Sequence, residues 1–243
     1  MAARAVPGQA QEDAADDGHP PAAIELTPYV WAAGLQGDVS AKGVAADVRL
    51  NAADLASGAR TGLMGIAKFR NRGMFIQTEI FYLDFADSSF DPFFNQATEA
   101  RLLFVESGIG IERKLTLGRT TMQVAPFAGV QLLSINTLVK GAGGELRADG
   151  SWVSPSIGLT ADVPLANRVT LLLKADAAGF GLDDADYRHG FAGIAYELTR
   201  NVRIIGGYRM ARGDMRSGPD GLSVDLKVRG PAIGLQAGFG RAR

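Results

Sequence analysis

The chain contains no cysteine, so a disulfide framework, a thiolate metal site and a cysteine nucleophile are all excluded. It has only two histidines, His19 and His189. No stretch reaches the roughly eighteen consecutive apolar residues of a membrane-crossing helix, although 47% of the 243 residues are hydrophobic. A helical membrane protein is therefore excluded. Neither sign of charge dominates: 25 Lys and Arg stand against 26 Asp and Glu, a net of -1. That balance offers no general attraction to phosphate backbones and argues against a nucleic-acid partner.

What the chain has is glycine, 31 residues of it, and a period of two. Between Arg101 and Arg113 the odd positions Leu103, Val105, Ile109 and Ile111 are apolar, while the even register carries Glu106, Gly108, Gly110 and Glu112. This is a strand with one greasy and one wet face, and the pattern recurs from about 60 to 239. Strands are expected near 24–37, 60–70, 73–86, 101–115, 120–137, 151–164, 168–178, 188–198, 202–212 and 223–240. Most match the roughly nine to eleven residues that a tilted strand uses to cross a bilayer. Residues 38–50 either continue the first strand or fold back as a hairpin around Lys42-Gly43, and 51–57 read as a short helical or irregular cap. Residues 1–23 are rich in Ala, Pro, Gly and acids, without apolar periodicity, and read as a disordered tail. Gly8-Gln9-Ala10 in that tail has the small-x-small form of an export-signal cleavage site. The folded domain is expected over 24–240.

Turn lengths test the alternation independently. Asn71-Arg72 and Gly118-Arg119 read as two-residue hairpin loops, which pair even positions with odd ones. Leu165-Ala-Asn167 and Thr199-Arg-Asn201 read as three-residue loops, which preserve parity. Under these rules Lys68, Glu79, Glu106, Glu112, Asp162, Lys174, Asp176, Glu197, Arg203 and Arg209 share one face, with Glu197 directly opposite Arg203. The other face is uncharged over long spans, among them Met74 to Tyr82, Leu103 to Ile111 and Val202 to Met210. An apolar face free of charge suits lipid, because a Lys or Arg at the bilayer midplane costs about 2–4 kcal/mol. The expected fold is therefore all-β: an antiparallel up-and-down transmembrane barrel of about ten strands, with eight or twelve as alternatives, and with the charged set lining the lumen. Asp225, Lys227 and Arg229 share the parity of Ile233, so the last strand is expected to change register through a bulge at Gly230-Pro231. Longer polar loops at 51–59, 87–100, 138–150, 179–187 and 213–222 alternate with the short turns, an asymmetry that assigns the turns to the periplasm.

Leu26-Thr-Pro-Tyr-Val-Trp-Ala-Ala-Gly34, Gly190-Phe-Ala-Gly-Ile-Ala-Tyr196, Ile204-Ile-Gly-Gly-Tyr208 and Gly234-Leu-Gln-Ala-Gly-Phe-Gly240 resemble the strands of small Gram-negative outer-membrane β-barrels, OmpA-like or porin-like. The resemblance implies a location in the outer membrane, with outer-membrane lipid and the assembly machinery as partners. In such barrels that machinery reads a terminal aromatic; here Phe239 is followed by Gly240-Arg-Ala-Arg243. The implied function is structural or porin-like passage of small solutes. Because both signs of charge line the lumen, opposite partners are expected to neutralise one another and to leave at most a small, poorly conducting pore.

Chemistry is sparse. His189 follows Asp183, Asp184 and Asp186 at the expected outer rim, where the resemblance invites comparison with rim proteases and lipid deacylases; a solvated loop histidine is the simpler reading. A rim hydrolase using His189 and loop-mediated binding or adhesion are the alternative functions. The acidic group lacks the glycine-spaced pattern of a calcium loop. Gly141-Ala-Gly-Gly144 is followed by no Gly-Lys-Ser/Thr, so no phosphate loop is expected. Glu106 and Glu112 lie about 20 Å apart on an extended strand, too far for a glycosidase pair. Phe90, Phe93 and Phe94 are expected to anchor a loop in the headgroup layer. No catalytic residue, metal site or cofactor is assigned.

Overall fold

The structure is a computed structural model that describes residues 22–41, 44–87, 97–141, 144–182, 184–217 and 222–240. The tail expected over the first 23 residues, Asp183 and the aromatics of loop 88–96 lie almost entirely outside these. The elements are β1 (Ala23–Trp31), β2 (Gly34–Ala41), β3 (Val44–Leu50), α1 (Ala52–Gly58), β4 (Ala59–Asn71), β5 (Met74–Asp87), β6 (Ala97–Ile111), β7 (Arg113–Leu117), β8 (Thr120–Gly141), β9 (Gly144–Ala166), β10 (Val169–Ala178), β11 (Ala185–Glu197), β12 (Val202–Ser217) and β13 (Leu222–Gly240). Each strand pairs antiparallel with its neighbours, and β1 pairs with both β4 and β13, so the sheet closes on itself. The result is a closed ten-strand antiparallel β-barrel.

The count of ten follows from how β1 and β2 meet β13. Trp31 faces Ala232 and Gly34 faces Arg229, a single register interrupted only at Ala32 and Ala33. These two strands are one stave, tipped by the β2–β3 hairpin. Likewise β7 continues β6 along β8 after a break at Glu112. Near the long-loop end the edge of β3 away from β2 has no strand partner among the described residues. There α1 connects β3 to β4. Asn51 starts it by accepting hydrogen bonds from the amides of Ala53 and Asp54, while Asp54 accepts from the amide of Asn51, a reciprocal capping box.

Gly118-Arg119 and Thr199-Arg-Asn201 form the expected turns, with Leu117 facing Thr120 and Glu197 facing Arg203. Two turns differ. The first hairpin turns on Arg72-Gly73, since both residues have positive φ (49° and 75°), the conformation that two-residue hairpins favour. The β9–β10 hairpin turns on Asn167-Arg168 and then shifts register between Val169 and Thr170. A two-residue turn plus one bulged residue gives the same parity as the expected three-residue loop.

The outward face is the expected one: Leu63, Phe69, Ile76, Ile109, Val130, Ile157, Leu173, Ile204, Ile233 and Phe239 are all exposed. The last strand departs from expectation. β12 and β13 pair without a register shift from Val202–Ala237 to Ser217–Leu222, so there is no bulge at Gly230-Pro231. Asp225, Lys227 and Arg229 point outward, and Val224 and Leu226 inward. The register does not flip; the polarity of the wall does. On β5 the outward series runs uncharged from Met74 to Tyr82 and then reaches Asp84, paired with Arg101 of β6. Its inward series passes from Gln77 and Glu79 to Phe81, Leu83 and Phe85. On β12 the outward series passes from Met210 to Arg212, which bonds Asp225 at 3.1 Å. Strands also run on through segments expected as loops, as in the β8–β9 ladder to Gly141–Gly144. The half nearest the short turns is apolar outside and charged inside; the half nearest the long loops is the reverse.

Candidate functional site

The lumen holds two compartments. Toward the turns lies an ionic one. Lys174 of β10 places Nζ 3.0 Å from Glu79, 2.8 Å from Glu106 and 3.1 Å from Asp176. Asp176 also bonds His189 Nδ1 at 2.8 Å, and Arg209 pairs with Glu79. The Tyr29 hydroxyl donates to Glu79 at 2.8 Å and accepts from Arg209 at 2.6 Å. Glu79 and Glu106 are 2% and 1% exposed, so each carboxylate needs its cation. Nearer the turns Lys68 bonds Glu112 at 2.7 Å, and Arg70 bonds Glu25 at 2.8 Å. Gln236 links Glu25 to Arg203. Asp162 lines a residual cavity of about 180 Å³ together with Lys68, Arg70 and Arg203. Inward glycines leave room for aromatics at this level: a Cβ on Gly110 would collide with the Phe75 ring, over which Lys68 sits at 4.1 Å.

Of the residues expected on the polar face, Lys68, Glu79, Glu106, Glu112, Lys174, Asp176 and Arg209 are brought into ion pairs inside the barrel. Arg203 is also inside but bonds Gln236 at 2.8 Å. Glu197 faces it in the ladder yet is exposed at the barrel rim, so the ladder partners do not form an ion pair. His189 is not a rim or solvated residue; it is 7% exposed and held by Asp176 rather than by the acids of its own loop. The β10–β11 register explains this, because it sets His189 directly opposite Asp176. Sequence parity had already put Asp176 inward and could have placed His189 beside it.

Above the ionic compartment lies an apolar chamber of about 400 Å³. Phe81, Leu102, Phe104, Leu133, Ile135 and Met215 line it, with α1 contributing Ala52, Leu55 and Ala56. Tyr29, Trp31 and Arg209 form its floor: Arg209 borders both compartments, with its guanidinium 4.8 Å from the Trp31 ring. A hydrophobic cluster of Phe104, Leu133, Trp152, Ala185, Met215 and Val224 surrounds the chamber. Sequence reading missed it, although a signal was present. Ile80-Phe-Tyr-Leu83 and Leu102-Leu-Phe104 are apolar at both parities, as strands buried on one face and lipid-covered on the other must be.

No protein-family model matches the chain, and a search of curated proteins finds no relative. Among solved structures it is similar to Neisserial surface protein A, at 12% identity over 90% of this chain and 97% of that one (TM-score 0.36). It is similar to Ail, the attachment invasion locus protein of Yersinia pestis, at 10% identity over 90% and 99% (0.36). The translocator domain of the autotransporter NalP from Neisseria meningitidis matches at 11% identity over 92% and 90% (0.35). These neighbours are Gram-negative outer-membrane β-barrels. What this barrel does has to be read from its own side chains.

Proposed function

We propose that the protein is an integral barrel of the Gram-negative outer membrane whose lumen is closed to free solute flow. One coincidence carries this reading. At the level where Glu79, Glu106 and Lys174 are buried inside, Ile76, Ile80 and Ile109 stand exposed outside. A wall that puts isoleucines outward and charges inward suits hydrocarbon, not water. The apolar outward spans of about nine residues fit the hydrocarbon thickness. Ala23 faces Gly240 at the short-turn end, the end that the short-turn asymmetry of outer-membrane barrels assigns to the periplasm. Outer-membrane lipid is then the solvent of the belt, and the assembly machinery its insertion partner.

The cluster around Lys174 fills the lumen at mid-height, which supports a binding or structural barrel over an open porin. His189 serves as part of that cluster. Its Nε2 has no hydrogen-bond partner among the described residues, whereas a hydrolytic dyad places a nucleophile there. The test is reconstitution of the purified protein. Refolded into lipid it should migrate anomalously on unboiled gels and show at most small, irregular conductance in planar bilayers. Large, stable conductance steps would overturn the closed lumen, and a folded monomer in detergent-free buffer would overturn the membrane assignment.

A further inference from the structure

We propose that the apolar chamber is a binding site for a small neutral hydrocarbon-like molecule, of about two aromatic rings in bulk, that enters through the barrel wall at α1. Volume sets the size. About 400 Å³ falls within the usual range of ligand pockets, and an apolar cavity of roughly 150 Å³ already holds benzene. The lining sets the chemistry. Among the described residues Arg209 is the one charged side chain on the wall, and Glu79 neutralises it from below. A ligand carboxylate or ammonium would therefore lose its hydration without gaining an unspent partner, at a cost that a neutral molecule avoids. The Tyr29 hydroxyl is committed to Glu79 and Arg209. Tyr187, also on the wall, has no hydrogen bond among the described residues, so a single polar group on the ligand can be met there.

Access follows from the topology. Two stretches of the described wall lack ladder pairing: β9 beyond Ser156 has no partner on its β10 side, where Trp152 instead donates to the Arg216 carbonyl, and β3 and β4 do not pair. Ladder pairing between β1 and β4 ends at Pro28–Gly65, and Gly65 faces Ile80, whose side chain is exposed on the apolar belt. The seam thus begins at the level of the belt, where a molecule dissolved in the outer leaflet can reach it. Among the described residues α1 covers it, presenting Leu55 to the chamber. Moving α1 breaks no strand pairing, and the ionic cluster below blocks onward passage. The occupant assigned is accordingly one that partitions into lipid.

The chain has two tryptophans, and Trp31 lines the chamber while Trp152 packs in the cluster around it. In a Trp152→Phe background, Trp31 fluorescence reports occupancy. Full-length protein in lipid nanodiscs is titrated with 1-bromonaphthalene, a neutral two-ring quencher. The expected result is saturable quenching at one equivalent per barrel, superimposed on the linear term from partitioning into lipid. Ala211→Phe, which grows into the chamber from β12, should remove the saturable part and leave the linear one. Ala56→Phe on the exposed α1 provides an independent block, and gel mobility verifies that each variant is folded. Linear quenching alone in the parent, or saturable quenching unchanged in both filled variants, would overturn the site. 1-Naphthoate should bind at least about tenfold more weakly, given the cost of an unpaired buried charge; equal affinity would overturn the neutral-ligand assignment. A barrel that conducts yet binds the quencher would overturn the closed lumen and leave this site standing.

Discussion

Lys174 and Glu106 meet at 2.8 Å across the lumen, although β10 and β6 are not neighbours in the sheet. The same ammonium also reaches Glu79 and Asp176, so three carboxylates from three strands converge on one cation. This contact ties together staves that are not neighbours in the sheet.

Removing that cation strands Glu106, whereas Glu79 keeps Arg209 and Asp176 keeps His189. Lys174→Met should destabilise the barrel by about 3–5 kcal/mol, the usual cost of stranding a buried charge. The denaturant midpoint of protein folded in lipid vesicles checks this. Adding Glu106→Gln should recover part of the loss, because one stranded charge disappears with it. A midpoint unchanged in Lys174→Met would mean that water screens the cluster.

The pair opposite in the ladder behaves differently from the pair in contact. Since Arg203 bonds Gln236 while Glu197 lies exposed, the swap Arg203→Glu with Glu197→Arg should show little coupling, at most about 0.5 kcal/mol. A double-mutant cycle of Arg203→Ala with Gln236→Ala should show more, about 1–2 kcal/mol for a charge-assisted bond. Strong rescue by the swap would contradict the observed side-chain arrangement.

The change of polarity along the wall gives a positional test of the membrane belt. Ile109→Arg, mid-belt and outward, should cost about 2–4 kcal/mol in a bilayer. Lys227→Ile, facing Arg212 on the outward face beyond the belt, should change stability by no more than about 0.5 kcal/mol. Both are read from vesicle-folding titrations. Equal effects at the two positions would be incompatible with a lipid boundary between them.

Asn51 caps α1. Asn51→Ala removes the acceptor for the amides of Ala53 and Asp54 and should weaken α1 by about 1 kcal/mol. Hydrogen–deuterium exchange over 52–58 should accelerate roughly fivefold, with β5 and β6 unaffected. Loss of protection across the whole barrel would show that α1 is part of its global fold and not a separately moving cover.

The sequence by itself determined the elements and their faces. Alternation at Leu103 to Ile111 is a local property of an extended chain, in which successive side chains point to opposite sides. Turn length then carries parity from strand to strand, so Glu197 opposite Arg203 was legible from Thr199-Arg-Asn201 alone, and the slips at Arg72-Gly73 and Asn167-Arg168 left parity intact. What parity cannot carry is distance across the lumen. That Lys174 meets Glu106, that His189 meets Asp176 inside the barrel, and that Gln236 takes Arg203 from Glu197 depend on closure, stagger and rotamer, which are properties of the whole wall. The outward charges of Asp225, Lys227 and Arg229 make the same point. A local rule that one face stays apolar demanded a bulge at Gly230-Pro231. The tertiary structure instead kept the register and changed the surroundings, placing an apolar core inside the barrel where its outer wall leaves the belt.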